Sequence, residues 1–338
     1  MLDYSNKKIT FKHSGIVVKI TNCLCDCENS QIYLCIDLNN NNKEPQKYSL
    51  KIVQTNINDK QANKNVCLEI NILLSLKKEN NIIHIKDYYN ITKNEISTYF
   101  ILMEYGPNGT LEDLIMKNSN EKNILSTNVI YAFTYQLAKG LRAIHNNNYC
   151  HRDFRPENIV LTSKNNLRII DFGSATNKTY DVINHNIRKN MILEISKNTY
   201  QSYRAPEEYL LYHGYPINEK VDIYALGLIL YSMMFSCPLV NDFDIQLTFA
   251  SKHVYEQILN DIKNYINPYF FKLLKAMLSI NPSERPSAQD IIKYLENHKD
   301  NILKYSYNNY IHETSSFANN LSKLIYQYME ILFSITLI

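Results

Sequence analysis

The sequence predicts an α+β protein in two parts: a strand-rich first part carrying one helix, and a larger helical second part. Three observations carry this expectation. Short β-branched and aromatic runs dominate to about residue 56 and return at Ile82–Tyr89 and Thr98–Met103. A turn-forming Gly106-Pro107-Asn108-Gly109 then separates them from helical periodicity. Val221–Phe235 is apolar nearly all round, as a helix in the centre of a lobe would be.

The elements follow in order. Ile16-Val17-Val18-Lys19-Ile20 and Ile32-Tyr33-Leu34-Cys35-Ile36 read as strands, and Asn39–Glu44 as a polar turn before a third strand, Tyr48–Val53. Val66, Ile70, Leu73, Leu74 and Lys77 then fall at helical spacing. In the second part, Ser126 or Thr127 can cap a helix carrying Val129, Ile130, Phe133, Leu137, Leu141 and Ile144. No internal repeat is evident, and the asparagine tracts at 39–42 and 146–148 are turn material.

Composition narrows the function. Over 338 residues, 36 basic and 33 acidic side chains leave a net charge of +3, too even a balance for a nucleic-acid or anionic-membrane field. No nucleic-acid partner is expected. Seven cysteines, with a stretch Met1–Thr10 that has no apolar signal core, point to a reducing compartment instead of a secreted disulfide scaffold. The chain has seven glycines, none of them between residues 16 and 105. That excludes a dinucleotide-binding Gly-x-Gly-x-x-Gly turn near the N-terminus and a Walker-type phosphate loop. A nucleotide site here must hold phosphates another way.

Chemistry concentrates in His151-Arg152-Asp153-Phe154-Arg155-Pro156-Glu157-Asn158, followed by Asp171-Phe172-Gly173 and Ala205-Pro206-Glu207. Asp171 and Asn158 are hard oxygen ligands suited to Mg²⁺. Asp153 can accept the proton of an acceptor hydroxyl and orient its oxygen. Lys51 lies in the strand Tyr48–Val53, and Glu69, eighteen residues on, sits on the predicted helix where it can pair with Lys51. In this order and spacing the motifs resemble those of eukaryotic protein kinases, over about residues 9–300.

The resemblance implies the bilobal protein-kinase fold, with an N-lobe at 9–103, a hinge at 104–106 and a C-lobe at 107–300. It implies ATP and Mg²⁺ as cofactors, Asp153, Lys51, Arg155 and Asn158 as catalytic residues, and Asn158 and Asp171 as metal ligands. Lys51 would grip the α- and β-phosphates. Met103 would be the gatekeeper, Glu104 and Gly106 would offer backbone groups to adenine, and Val160 would lie beneath the ring. Cys25, Cys27, Ser30, Ile32, Ser49 and Glu69 complete the implied nucleotide site. Asp222 matches the buried acid that anchors the catalytic loop, and Arg285 the arginine that pairs with Glu207.

Further runs narrow the resemblance. Asp171–Lys178, Ser202–Glu207, Leu210–Ile217, Lys220–Gly227 and Val66-Cys67 are similar to those of the Numb-associated kinases, the Ark/Prk and adaptor-associated group. That likeness implies serine/threonine specificity, endocytic adaptor or actin-cortex substrates, and a cytoplasmic location at the cell cortex or endocytic sites.

Two departures stand out. The three glycines expected in the phosphate-covering loop fall on Cys25, Cys27 and Ser30, which weakens the expected hold on ATP. This favours the rival reading, a pseudokinase-like nucleotide-binding scaffold. Cys23, Cys25 and Cys27 alternate, so in an extended segment they point the same way. A small-residue strand face, a reactive thiol above the nucleotide and a metal site are the three readings, the last with spacing unlike zinc sites. The second departure is Arg155 where serine/threonine kinases usually carry lysine, with Tyr200 where they carry threonine and Thr199 adjacent. Tyr200 reads as a core aromatic, a phosphosite, or a sign of altered acceptor choice.

The segment 171–207 is long. Val182, Ile183, Ile187, Met191, Ile192 and Ile195 either form an amphipathic helix or lie in a mobile loop, and Arg152 is the residue that would meet an activating phosphate. The tail 301–338 is expected to be helical and ends in the apolar stretch Leu321–Ile338. With Lys323 and Glu330 inside it, that stretch reads as a docked helix in preference to membrane contact.

Overall fold

A computed structural model of the chain describes residues 4–27, 30–39, 44–162, 166–179, 194–195, 199, 201–210, 215–236, 256, 259–260, 262–264 and 266–305. The expectations for residues 182–192, Tyr200 and the tail beyond Tyr305 lie outside the described residues. The chain divides into two compact units. One comprises the residues up to Asn108 together with Val160–Gly173, and the other Gly109–Ile159 together with the residues from Ser174 onward.

The first unit is built on an antiparallel sheet. Strands β1 (Lys8–Thr10), β2 (Val17–Asp26), β3 (Ser30–Asp37), β4 (Lys47–Asn56), β5 (Ile85–Lys93) and β6 (Ile96–Glu104) pair in the order β1-β2-β3-β4-β6-β5. Alternation decides which face is packed. Val18, Ile20, Tyr33, Cys35, Leu50, Ile52, Phe100 and Leu102 form one apolar cluster with Ile9 and Phe11 from the first strand and its turn. Ile32, Leu34 and Ile36 point the other way and stay half-exposed. Ser14 ties the first turn to β5, its amide and hydroxyl both donating to Asp87 at 2.8 Å.

Helix α1 (Lys60–Ser75) starts where the Asp59 carboxylate accepts from the Ala62 amide, and it buries Val66, Glu69, Ile70, Ile72 and Leu73. The run Ile82–Tyr89 divides. Ile82 bridges Ile169 and the Ile83 amide donates to the Ile169 carbonyl, so β5 begins only at Ile85. An apolar run does not name its pairing partner. Strands β7 (Ile159–Leu161) and β8 (Leu167–Ile169) form a second, two-stranded sheet.

The register corrects the expectation for the cysteines. Two shifts interrupt the β2–β3 ladder, between Ile20 and Cys23 and between Cys23 and Cys25. Cys23 therefore pairs with Tyr33 and Cys25 with Ile32, neighbours on β3 whose side chains take opposite faces. Cys23 and Cys25 do not share a strand face, because an extra residue in one strand reverses the phase of alternation.

The second unit is helical, and its α-helices include α2 (Leu111–Asn120), α3 (Thr127–Asn146), α4 (Pro206–Leu210), α5 (Lys220–Phe235), α6 (Pro268–Met277) and α7 (Ala288–Lys304). Ser126 caps α3, accepting from the Val129 amide. Thr110 and Ser287 close capping boxes with Asp113 and Asp290 at the starts of α2 and α7. Helix α5 is buried at every position from Val221 to Phe235.

Glu207, next to Ala205-Pro206, receives both terminal nitrogens of Arg285, at 2.6 and 2.8 Å, with both residues at most 2% exposed. Arg285 also donates to the carbonyls of Ser279 and Lys220 and lies 4.9 Å over the Tyr224 ring. The expected structural pair is thus a fully desolvated fork with its remaining donors satisfied.

Glu208 is a less settled neighbour. One carboxyl oxygen accepts from the Ala205 amide at 2.9 Å, and the other is buried with no hydrogen-bond partner among the described residues. Burial pushes this carboxyl up to about 8, against the pull of the Ala205 amide and the charges of Arg152 and Arg204. The unfolded chain releases that proton near 4.5, so between these values the native state holds the extra proton. Stability therefore falls as pH rises through this window. Glu208→Gln is expected to flatten the fall, giving a higher Tm than wild type at pH 8 and little difference at pH 4.5, measured by thermal melts across that range.

Candidate active site

In the first unit, Lys51 on β4 and Glu69 on α1 meet at 2.7 Å, as their spacing anticipates. Lys51 also reaches Asp171 at 2.8 Å. Burial alone would lower the Lys51 ammonium. The Asp171 and Glu69 carboxylates overcome this and hold it above its ordinary value. Burial and the Asp171 charge push the Glu69 carboxyl up, against the pull of Lys51 and the Phe172 amide. Asp171 sits at φ 60°, in the left-handed region, with its side chain 43% exposed and its Oδ1 accepting from the Gly173 amide at 3.2 Å.

Register places further expected residues on the same face of the sheet. Cys25, Ile32, Lys51 and Ile101 pair across successive strands, and Leu34, Ser49 and Met103 form the next row. Ser30 opens β3 and Cys27 follows β2, the Cys27 amide donating to the Ser30 carbonyl at 2.9 Å. The Ser49 hydroxyl donates to the Glu104 carbonyl at 2.9 Å, so it fixes the strand end that carries the implied adenine contacts. The Glu104 side chain is held by Arg168 at 3.2 Å and faces His84 at 3.4 Å.

Gly106 lies hard against Val160. A Cβ there would stand 2.9 Å from the Val160 Cβ and 3.2 Å from the Leu161 carbonyl oxygen. Gly106→Ala is expected to cost about 1–3 kcal/mol through overpacking. Val160→Gly in the same chain removes the Cβ that is met first and should recover part of the clash relative to Val160→Gly alone, as thermal melts of the single and double variants would read.

In the second unit, Asp222 of α5 organises the loop that begins at His151. Its carboxylate accepts from the amides of His151 and Arg152 at 2.8 and 2.9 Å and from His145 at 2.9 Å. Burial would raise this carboxyl, but His145 and the His151 amide hold it below its ordinary value. Asn158 donates through its amide nitrogen to the Asp153 carboxylate at 2.7 Å and to the Asp153 carbonyl at 2.9 Å. Both bonds use nitrogen, which leaves the amide oxygen for a cation. Arg155 stands 3.4 Å from Asp153 and 3.1 Å from Glu157, so a positive charge is fixed beside the implied base. Thr199 is held by Arg204, which donates to its carbonyl at 2.8 Å.

Some of these contacts were not anticipated. His145 joins Asp222 from the last turn of α3, and Glu194 meets Arg152 at 3.3 Å while the Arg152 Nε donates to the Ser174 carbonyl. A histidine six residues before His151 and an acid beside the buried Ile195 were the available signals. Each unit offers a hard oxygen donor of the kind a divalent cation takes: in the first, Asp171 is a half-exposed carboxylate, and in the second, Asn158 keeps an amide oxygen to offer.

The protein kinase domain pattern matches residues 22–295, and the chain belongs to that family. It is similar to two proteins of Dictyostelium discoideum, each named a "Probable serine/threonine-protein kinase". One is 30% identical over 302 residues, covering 83% of this chain and 25% of the relative. The other is 33% identical over 232 residues, covering 67% and 28%. It is also 30% identical over 235 residues to serine/threonine-protein kinase AKL1 of Saccharomyces cerevisiae, covering 67% of this chain and 20% of that protein. The chain thus spans about a quarter of the length of these curated relatives.

Proposed function

We propose that the chain is a serine/threonine protein kinase of the Ark/Prk type, transferring the γ-phosphate of ATP to protein hydroxyls. The observation that carries this reading is the closed Lys51–Glu69 pair with Lys51 also on Asp171, the arrangement that a working phosphate site needs. The subfamily reading is supported by the motif runs and by the similarity to AKL1, a yeast kinase of the Ark/Prk family. Endocytic adaptors would then be the substrates to try first.

Each residue has a physical task. Lys51, kept charged by two carboxylates, holds phosphate oxygens in place. Asp153 accepts the hydrogen bond of the acceptor hydroxyl, with Asn158 fixing the carboxylate's direction. Arg155 adds positive charge beside it. Mg²⁺, when bound through Asp171 and Asn158, supplies neutralisation of the phosphate charge. Glu194 gives Arg152 a carboxylate where an activating phosphate would otherwise sit, so this contact needs no phosphorylation.

The glycine-free stretch at Cys25, Cys27 and Ser30 favours the second reading, a nucleotide-binding scaffold with little turnover. A peptide array of serine, threonine and tyrosine acceptors with labelled ATP·Mg²⁺ tests the proposal. Transfer to serine and threonine is expected. Transfer confined to tyrosine would overturn the acceptor assignment, and transfer to none would favour the scaffold.

A further inference from the structure

The tip of the β2–β3 hairpin carries three exposed thiols, Cys23, Cys25 and Cys27, whereas Cys35 and Cys150 are buried. The Cys25 and Cys27 sulfurs lie 3.4 Å apart, and the Cys23 thiol instead donates to the Cys25 carbonyl at 3.4 Å. A disulfide needs its sulfurs at about 2.0 Å and its Cα atoms within about 6.8 Å. Two residues apart on a strand, Cα atoms stand about 6.6 Å from each other, at the edge of that range. Cys27 lies just past the end of β2, where its amide donates to the Ser30 carbonyl beyond the last β2–β3 pair, Asp26 and Gln31. A small local bend therefore brings the two sulfurs together.

We propose that Cys25 and Cys27 form an oxidation site, closed by a peroxide into a disulfide that weakens the hold of the hairpin tip on ATP. Cys27 thiolate attacks the peroxide, breaking the O–O bond to give a sulfenic acid and hydroxide. The Cys25 sulfur then displaces the sulfenic hydroxyl as water, its proton leaving with it. In sum, two thiols and hydrogen peroxide become one disulfide and two waters. Burial and the neighbouring Cys27 push the Cys25 thiol up to about 11, in keeping with its place as the second sulfur to react.

The consequence follows from register. Cys25 shares the face and the cross-strand row of Ile32 and Lys51. Drawing Cys27 back toward Cys25 strains the Cys27–Ser30 bond and shifts the end of β2 in the row that carries Lys51. This second half of the inference rests on the kinase reading, and the disulfide itself does not.

The test exposes the full chain to hydrogen peroxide, blocks remaining thiols with N-ethylmaleimide, and reads intact mass and cross-linked fragments. Wild type and Cys23→Ser are expected to lose two hydrogens with the link mapped to Cys25–Cys27, reversibly with dithiothreitol. Cys25→Ser and Cys27→Ser should not. The oxidised wild type should show a roughly tenfold higher KM for ATP, the scale of one lost charge-assisted bond to phosphate. No loss of hydrogens, or a link through Cys23, would overturn the site. A disulfide without a change in KM would overturn its effect. Absence of transfer by the reduced protein would count against the kinase reading alone, since the mass readout stands without it.

Discussion

Replacing Asp153 by asparagine is expected to lower kcat roughly 10²- to 10⁴-fold, the range for loss of a positioned general base. The KM for ATP should hardly move, because Asp153 is assigned to the acceptor hydroxyl and not to the nucleotide. Asparagine keeps an oxygen for the Asn158 amide, which now bonds Asp153 at 2.7 Å, so the loop should hold its shape. Steady-state kinetics with a thermal melt on the same preparation separates chemistry from folding. A loss below tenfold with an unchanged melt would remove Asp153 from its assigned role.

The second large effect concerns the fork between Arg285 and Glu207. Both groups are desolvated and matched at 2.6 and 2.8 Å. Arg285→Met leaves the Glu207 carboxylate buried without its counter-charge, at a cost of about 3–5 kcal/mol. At this chain length that corresponds to a fall in Tm of roughly 4–7 °C. Adding Glu207→Met removes the stranded charge and should recover much of the loss, because a buried pair is worth little more than well-packed apolar residues. Differential scanning calorimetry of the single and double variants would decide this. A double variant no better than Arg285→Met would mean that the arginine stabilises the fold mainly through Ser279, Lys220 and Tyr224.

Much of the candidate site was legible because its chemistry needs particular side chains at fixed offsets. Lys51 and Glu69 meet because a strand and the following helix return the chain over eighteen residues. Asn158 reaches Asp153 because five residues turn tightly between them. The all-round apolar stretch Val221–Phe235 could only be an interior helix, and it is buried throughout.

Other features were not legible, for reasons that are also physical. Alternation at Cys23, Cys25 and Cys27 reads as one face, but a register shift leaves no mark in a period-two pattern. The run from Ile82 contains two pairing partners, because apolar character does not say which strand lies alongside. Arg152 was expected to meet a phosphate if one were used, and the carboxylate it meets, Glu194, lies 42 residues away with no fixed offset to announce it. The edge strand Lys8–Thr10 is too short to carry a pattern of its own.

The measurement closest to the central claim is phosphoryl transfer from labelled ATP·Mg²⁺ to a protein acceptor, with ATP binding recorded on the same sample. The proposed kinase reading, supported by the Lys51–Glu69–Asp171 cluster in one unit and the Asp153–Asn158 bond in the other, predicts both binding and transfer, with transfer lost in Asp153→Asn and binding kept. Binding without transfer above that variant would contradict the claim and leave a nucleotide-holding scaffold in its place.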